Sequence, residues 1–330
     1  MENNYSAVIS GTGSFVPERI LTNADLEKMV DTSDEWITTR SGIKERRIAD
    51  EGTAASDLAL EASIRAMEEA KVKPEEIDLI LIGTVTADFP FPSTACILQD
   101  RLKAKNAAVL DIAAACSGFI YGLSVAQAFI SSGKYKTILV VGVEVLSKIT
   151  DWTDRSTCVL FGDGAGAAIV QRSNDNDKGI IATYLCGDGS LGNLLHIPVG
   201  GTRTPLTKEN IDKRNHYLKM EGNEVFKSAV RSMGDAALRV LKEANISPEE
   251  VDLLIPHQAN IRIIEATAKR LKIPMEKVYV NIDKYGNTSS ASIPIALEEA
   301  RKSGRIKPGD ITVLVAFGAG FTWGSAVIRW

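Results

Sequence analysis

Glu69-Ala70-Lys71-Val72-Lys73-Pro74-Glu75-Glu76-Ile77-Asp78-Leu79 and Glu243-Ala244-Asn245-Ile246-Ser247-Pro248-Glu249-Glu250-Val251-Asp252-Leu253 are two versions of one segment, 174 positions apart. Each closes an amphipathic helix and opens an apolar strand, the switch of hydrophobic period marking the junction. A second echo follows in the same order: Ser132-Gly133 leads into Thr137-Ile138-Leu139-Val140-Val141, and Ser303-Gly304 into Thr312-Val313-Leu314-Val315-Ala316. A third pairs Phe161-Gly162-Asp163-Gly164 with Phe317-Gly318-Ala319-Gly320. Matches in the same order predict two related α/β halves packed about a pseudo-twofold axis. The polar stretch Arg172 to Lys178 is the natural seam, with residues 1–171 forming one half and 172–330 the other. Near-continuous Val/Ile/Leu runs such as Leu79 to Ile82 suit strands covered on both faces. Gly201 to His216 is polar and without period, and reads as a surface excursion.

The chain has 330 residues, 45% hydrophobic and 24% charged, the balance of a globular protein with a large core. A net charge of −4 argues against a nucleic-acid binder that works through phosphate contacts. The stretch Met1-Glu2-Asn3-Asn4-Tyr5 lacks the basic and apolar regions of a signal peptide. The longest apolar runs, such as Ile138 to Val143, are strand-sized, so no membrane partner is expected and the cytoplasm is the expected location. Cys96, Cys116, Cys158 and Cys186 form no C-x-x-C and have no histidine at zinc-site spacing, which indicates neither a disulfide framework nor a metal site. Gly162-Asp163-Gly164-Ala165-Gly166 looks like part of a dinucleotide fingerprint, but Ala167-Ala168-Ile169-Val170 after it reads as strand, where the fingerprint needs a helix. Gly133-Lys134 is no P-loop, since Tyr135 occupies the place of the required Ser or Thr.

Three residues carry candidate chemistry. Cys116 ends the run Ala113-Ala114-Ala115 and opens Ser117-Gly118-Phe119 and a helical segment reaching about Ser131. At a strand-to-helix turn its sulfur sits near unpaired N–H groups and the positive end of the helix dipole, which is expected to favour the nucleophilic thiolate. A buried structural cysteine is the alternative. His257 follows the strand Leu253-Leu254-Ile255-Pro256, at the strand end where open α/β folds place ligands, or it is a hydrogen-bonded core histidine. Asn287 lies in Gly286-Asn287-Thr288-Ser289-Ser290-Ala291-Ser292, ahead of a helix from Ile295 to Lys302, or it is a turn or cap residue. Through the repeat, that helix corresponds to the one opened by Cys116. The pseudo-twofold therefore brings both helix N-termini toward one centre.

With these residues in view, the chain resembles the β-ketoacyl-acyl carrier protein synthase III enzymes of the thiolase superfamily, which start bacterial fatty-acid synthesis, over essentially its whole length. The resemblance rests on Asp34-Glu35-Trp36-Ile37, Arg40-Ser41-Gly42-Ile43, Ala113 to Phe119, Phe161 to Ala167, Gly222-Asn223-Glu224-Val225-Phe226, His257 to Asn260, Gly286 to Ser292 and Phe317 to Gly324. The Cys-His-Asn set separates this group from elongating synthases (Cys-His-His) and thiolases (Cys-His-Cys). The resemblance implies a thiolase-like fold, two duplicated α/β halves forming a layered α-β-α-β-α core.

It also implies a mechanism. Cys116 takes a short acyl group from acyl-CoA, the backbone N–H groups of Cys116 and Ala319 holding the oxyanion. Malonyl-acyl carrier protein then loses carbon dioxide while His257 and Asn287 donate hydrogen bonds to its thioester oxygen, and the carbanion attacks the acyl-cysteine. Trp36 and Arg155 stack on the adenine of coenzyme A, with Arg40 and Asn260 also in that site. Phe91 lines the acyl pocket from the partner subunit of a homodimer. Gln258, Arg262 and Lys269 receive the acidic carrier protein, Arg262 and Lys269 lying seven apart on one helix face. Acyl-CoA and malonyl-acyl carrier protein are substrates, and no cofactor or metal is implied. From the residues alone, Trp36 also reads as a core aromatic, Arg155 as a surface cation, the Phe91 loop as a rigid turn, and Arg262 and Lys269 as a solvated stripe. Three other functions stay open: a starter condensing enzyme of polyketide or secondary metabolism, a Cys-His-Asn thioester hydrolase, and a noncatalytic acyl-binding scaffold.

Overall fold

The computed structural model describes residues 5–330; Met1 to Asn4, most of the N-terminal stretch read above for a signal peptide, lie outside the described residues. The repeated segments show why they repeat. Helices α2 (Ala55–Ala70) and α5 (Gly222–Ala244) both end on a left-handed residue, Lys71 at φ 56° and Asn245 at φ 54°. The N–H two residues past each helix returns to the last turn, Val72 to the Met67 carbonyl and Ile246 to the Leu241 carbonyl, which satisfies the carbonyls the helix end exposes. Pro74 and Pro248 then start one-turn 3-10 helices, where the Glu76 and Glu250 carboxylates accept the Lys73 and Ser247 N–H groups, each at 2.8 Å. Asp78 accepts the Thr137 N–H at 2.9 Å and Asp252 the Ile311 N–H at 2.9 Å, so each aspartate pins the start of the neighbouring strand.

The first sheet contains β1 (Ser6–Phe15), β2 (Leu79–Gly83), β3 (Ala108–Ile112), β4 (Thr137–Val145) and β5 (Asp163–Ser173) in the order β1-β5-β4-β2-β3. The second contains β6 (Gly179–Gly187), β7 (Leu253–Pro256), β8 (Ile311–Gly318) and β9 (Thr322–Arg329) in the order β7-β8-β9-β6. The senses match strand for strand. β1–β5 and β5–β4 are antiparallel, like β6–β9 and β9–β8, whereas β4–β2 is parallel like β8–β7. Leu79 faces Ile138 and Leu253 faces Thr312, a register conserved at the offset of the repeat. In the second half the counterpart of β3 shrinks to one parallel bridge between Leu254 and Val278.

The third sequence echo is a coincidence of composition. Gly166 lies opposite Gly142 and Gly324 opposite Ala316, which makes β5 the counterpart of β9. Phe161 precedes β5, whereas Phe317 lies inside β8, so Phe161-Gly162-Asp163-Gly164 and Phe317-Gly318-Ala319-Gly320 occupy different places in the two halves. The first half inserts residues 146–162 between β4 and β5 where the second half has only a turn.

Strand alternation distributes the core over both faces of each sheet. Leu79, Leu81, Ile138 and Val140 point inward with Leu253, Ile255, Leu314 and Ala316 onto two central helices, α4 (Gly118–Ser131) and α7 (Ser292–Lys302). Ile80, Ile82, Leu139 and Val141 point outward onto α2 and α3 (Thr94–Leu102); Leu254, Val313, Val315 and Val327 point outward onto α5 and α6 (Ile261–Leu271). Five layers result, α-β-α-β-α. Lying between two sheets, α4 must be apolar nearly all round, and its sequence Gly-Phe-Ile-Tyr-Gly-Leu-Ser-Val-Ala-Gln-Ala-Phe-Ile-Ser is.

Candidate active site

Two pseudo-equivalent elbows meet at the centre. The 3-10 turn Ala115–Ser117 leads into α4 and Ser289–Ala291 into α7, each entered through a non-glycine residue in the left-handed region, Ala115 at φ 45° and Ser289 at φ 49°. Such a conformation costs on the order of 1–3 kcal/mol and persists only where packing enforces it. Here each half holds the other's elbow. A side chain on Gly318, at the end of β8, would meet the Cys116 backbone nitrogen at 2.6 Å, and one on Gly142, in β4, would meet the Ser290 carbonyl oxygen at 2.2 Å. Thr322 adds a clamp, its Oγ1 donating to the Ala114 carbonyl at 2.8 Å and lying 2.7 Å from Ser117 Oγ.

Cys116, His257 and Asn287 line one cavity of about 900 Å³, counting its open mouth. Its other walls are apolar: Leu146, Leu160 and Phe161 from the first half, Leu218 and Met220, and Val225, Phe226, Ala229 and Met233 along α5. Ala319 lies at the same wall, and Gly320 takes the turn's positive φ of 134°, so Ala is accommodated at 319.

Both polar side chains are fixed so that they offer N–H groups. His257 follows β7, its N–H bonded to the Val315 carbonyl at 2.8 Å, and its Nδ1 lies 2.6 Å from Ser292 Oγ. Ser292 Oγ accepts the Gln258 N–H at 3.4 Å, and in the hydrogen bonds of the described residues Nδ1 is the one acceptor it meets, so a serine hydrogen given to Nδ1 puts the imidazole proton on Nε2. Burial lowers the His257 pKa to about 3, which makes the ring a neutral donor. Asn287 is held across the halves, its N–H on the Leu160 carbonyl at 2.9 Å and its carbonyl taking the Gly162 N–H at 3.0 Å. Its Oδ1 accepts the Ser289 N–H at 2.8 Å, which leaves Nδ2 as the group available to the cavity.

The surroundings of the Cys116 sulfur oppose the helix terminus. Cys116 keeps part of its surface open to the cavity, but burial pushes its thiol up to about 12 and the Glu144 carboxyl adds to the rise, against hydrogen bonds from Ser289 and the cysteine's own backbone. Burial of the sulfur thus works against the pull of the helix terminus toward the thiolate.

The sequence relatives decide the family. Over all 330 residues the chain is 60% identical to the β-ketoacyl-[acyl-carrier-protein] synthase III of Caldanaerobacter subterraneus subsp. tengcongensis, covering 99% of that protein. The chain belongs to the β-ketoacyl-[acyl-carrier-protein] synthase III family. Models of 3-oxoacyl-[acyl-carrier-protein] synthase III and of its C-terminal part match residues 110–189 and 241–330. The crystal structure of 3-oxoacyl-[acyl-carrier-protein] synthase III from Aquifex aeolicus superposes with a TM-score of 0.91 at 55% identity, covering 98% of this chain and all of that one, which establishes the thiolase fold. A priming β-ketosynthase of a polyketide biosynthetic pathway superposes as well, with a TM-score of 0.92, but at 34% identity. The synthase III members are acyl-transferring condensing enzymes, and this chain is one of them.

Around the mouth of this synthase, the Arg40 and Arg155 guanidinium carbons lie 4.8 Å and 5.1 Å from the centre of the Trp36 ring, Arg40 and Trp36 being on α1 (Asp34–Ser41). Asn260 caps α6, its Oδ1 accepting the Arg262 N–H and its Nδ2 donating to the Arg40 carbonyl at 2.9 Å. Arg262 and Lys269 are exposed on α6, with Glu265 exposed between them. Gln258 does not belong to a docking surface. It is 1% exposed, its Nε2 donates to the Pro256 and Tyr279 carbonyls and its Oε1 accepts the Asn281 N–H. Its position between His257 and Ala259 gave no sign that the side chain turns inward. Phe91 is 86% exposed and lies away from its own chain's cavity. Ser292, Ser289 and Glu144 were missed; the one available signal was Glu144 itself, an acid inside the apolar run Val140 to Val145.

Among the described residues, no group of three or more His, Cys, Asp or Glu could hold a metal ion, and no helix is long and apolar enough to cross a membrane.

Proposed function

We propose that this synthase performs its decarboxylative Claisen condensation in the cavity where the two elbows meet, with Cys116 as the acyl carrier and His257 and Asn287 as donors to the thioester oxygen of malonyl-acyl carrier protein. The observation that carries the reading is that Cys116, His257 and Asn287 line one cavity while His257 Nδ1 and Asn287 Oδ1 are engaged by Ser292 and Ser289, which leaves Nε2 and Nδ2 to donate. Attack of the Cys116 sulfur on acyl-CoA breaks the bond to coenzyme A, with the Cys116 and Ala319 N–H groups against the oxyanion. Loss of carbon dioxide then places charge on the malonyl thioester oxygen, which the two donors stabilise, and the carbanion attacks the acyl-cysteine. A neutral imidazole and a neutral amide supply hydrogen bonds without an acidic proton that would quench the carbanion. Mass spectrometry of the carrier after incubation with acyl-CoA and malonyl-acyl carrier protein checks this: a 3-oxoacyl-carrier is expected, and free acid with unextended carrier would overturn the reading in favour of a hydrolase.

Coenzyme A enters past Trp36, Arg40, Arg155 and Asn260 in this reading. Two aromatic van der Waals gaps need about 7–8 Å between indole and guanidinium, so adenine lifts Arg155 off the ring it now covers. Arg262 and Lys269, without Gln258, form the face that receives the acidic carrier, and the cytoplasm is the proposed location.

The proposed assembly is a homodimer. β3 is the outermost strand of the first sheet and leaves Leu110 45% exposed, an open edge of the kind that pairs with another chain, and Phe89 and Phe91 are exposed as well. Phe91 then reaches the partner's acyl pocket. Replacing Phe91 with Ala is expected to widen the range of primer lengths accepted in self-acylation assays. A monodisperse, fully active monomer in sedimentation would rule the arrangement out.

A further inference from the structure

The two elbows are backed differently. Ile138 and Thr312 hold equivalent places opposite Leu79 and Leu253, so Gly318 in β8, which packs on the Cys116 backbone, corresponds to Glu144 in β4, which faces the Asn287 elbow. Glu144 is the one ionisable residue of that strand and is fully buried. An acid there loses its hydration, and neutral donors from both halves replace it: Thr86 Oγ1 at 2.6 Å, the Val85 N–H at 3.2 Å, Thr84 Oγ1 at 3.3 Å and Ser289 Oγ at 3.1 Å. Ser290 Oγ lies 3.3 Å away but gives its hydrogen to the Gly83 carbonyl at 2.7 Å. The bond from Ser289 leads to the chemistry. The Asn287 backbone is held by Leu160 and Gly162, but among the hydrogen bonds of the described residues its side-chain amide has one partner, the Ser289 N–H on Oδ1 at 2.8 Å. Ser289 carries that N–H in the left-handed region at φ 49°, a conformation that a residue with a Cβ keeps only where its surroundings enforce it. Among the same hydrogen bonds, Glu144 is the acceptor its hydroxyl meets. Ala115, in the same conformation at the other elbow, has no hydroxyl and is packed against Gly318 instead. The difference fits what each elbow presents. A sulfur is one atom, whereas turning the Asn287 amide about its broad χ2 torsion exchanges the donor Nδ2 for the acceptor Oδ1.

We propose that Glu144 is a positioning residue for the decarboxylation step: by holding the Ser289 hydroxyl it keeps the Ser289 N–H on Asn287 Oδ1, and so keeps Asn287 Nδ2 turned toward the malonyl thioester oxygen. The proposal rests on the reading of Asn287 as a donor given above. Glu144 touches no substrate and exchanges no proton in this role. Its influence runs through two hydrogen bonds, Ser289 Oγ to the carboxylate and Ser289 N–H to the amide oxygen, and is confined to the half-reaction that uses Asn287. Glutamine at 144 would preserve the arrangement, since its amide oxygen can accept from Ser289 while its amide nitrogen donates to the Thr84 and Thr86 hydroxyls. Alanine at 144 or at 289 would release the elbow's hydroxyl tether. Alanine suits position 289, because Ala115 adopts the same backbone at the equivalent elbow.

The test measures carbon dioxide release from malonyl-acyl carrier protein, with kcat and KM separated, beside self-acylation by acyl-CoA read by intact-protein mass spectrometry. The variants are Glu144→Ala, Glu144→Gln and Ser289→Ala, and Ser289→Ala combined with Asn287→Ala. Glu144→Ala and Ser289→Ala are each expected to lower the kcat of decarboxylation about tenfold, less than outright removal of the donor, with KM for the carrier unchanged. Self-acylation should stay within a few-fold of wild type in both, and Glu144→Gln should restore decarboxylation to within a few-fold. Adding Ser289→Ala to Asn287→Ala should cost nothing more, because an amide that is absent cannot be misturned. Wild-type decarboxylation in Ser289→Ala would overturn the proposal, whether or not Glu144→Ala folds. So would a further tenfold loss when Ser289→Ala is added to Asn287→Ala, since the tether would then act by some route other than the amide. Wild-type decarboxylation in Asn287→Ala would instead overturn the reading of Asn287 as a donor.

Discussion

Cys116→Ala is expected to take up no acyl group from acyl-CoA and to lose condensation by about 10⁴-fold or more, the scale seen when a nucleophile is removed from a site that acts as a unit. No other cysteine can substitute. None of the remaining three lines the cavity; Cys158 is buried with its thiol pushed up to about 11 by burial, and exposed Cys96 sits on α3 beside Ser93. The variant should still decarboxylate malonyl-acyl carrier protein, since His257 and Asn287 hold their positions through Ser292, Ser289 and Leu160 rather than through Cys116. Peptide mapping after acyl-CoA treatment, alongside carbon dioxide release from malonyl-acyl carrier protein, checks both halves. Full-stoichiometry acylation of Cys116→Ala would refute the assignment of the nucleophile.

The reverse pattern is expected for His257→Ala and Asn287→Ala. Each should retain self-acylation and lose malonyl decarboxylation by about a hundredfold or more, the effect of removing one donor from an oxyanion site. The losses should not add, because both groups address one oxygen. Because His257 is already neutral with its pKa lowered to about 3, decarboxylation in wild type should show no inflection from this ring between pH 5 and 8. A decline in decarboxylation as pH rises through that range, abolished in His257→Ala, would mean that the imidazolium is the working form. Loss of acylation with normal decarboxylation in either variant would invert the division of roles.

The fold was legible because its evidence is local. Pro74 and Pro248 stand at matched changes of hydrophobic period, and Glu76, Asp78, Glu250 and Asp252 each form a short-range or strand-start hydrogen bond that a sequence can announce. The echo at Phe161 and Phe317 misled because Gly-rich tetrapeptides arise wherever backbones approach closely, and only strand pairing fixes which positions correspond. The placing of Asn287 near Cys116 was reached through the repeat, as a symmetry argument between two helix starts. What escaped depends on tertiary surroundings. Whether Gln258 points outward, whether Ser292 meets His257, and whether Ser289 reaches Glu144 are matters of which chain segment arrives from the other half. The same holds at the thiol: the helix terminus is written in the sequence, and the burial of the sulfur that opposes it is not.

The most direct test of the central claim, that one cysteine at the meeting of two elbows carries the acyl group to a carbanion made beside it, is a two-step chase on the wild-type enzyme. The protein is loaded with acyl-CoA, freed of coenzyme A, mapped by mass spectrometry, and then mixed with malonyl-acyl carrier protein. The account predicts one acyl group per chain, on Cys116, discharged in step with the appearance of 3-oxoacyl-carrier and carbon dioxide. An adduct on another residue, or an acyl-Cys116 that is released as free acid while the malonyl-carrier stays unextended, would contradict it.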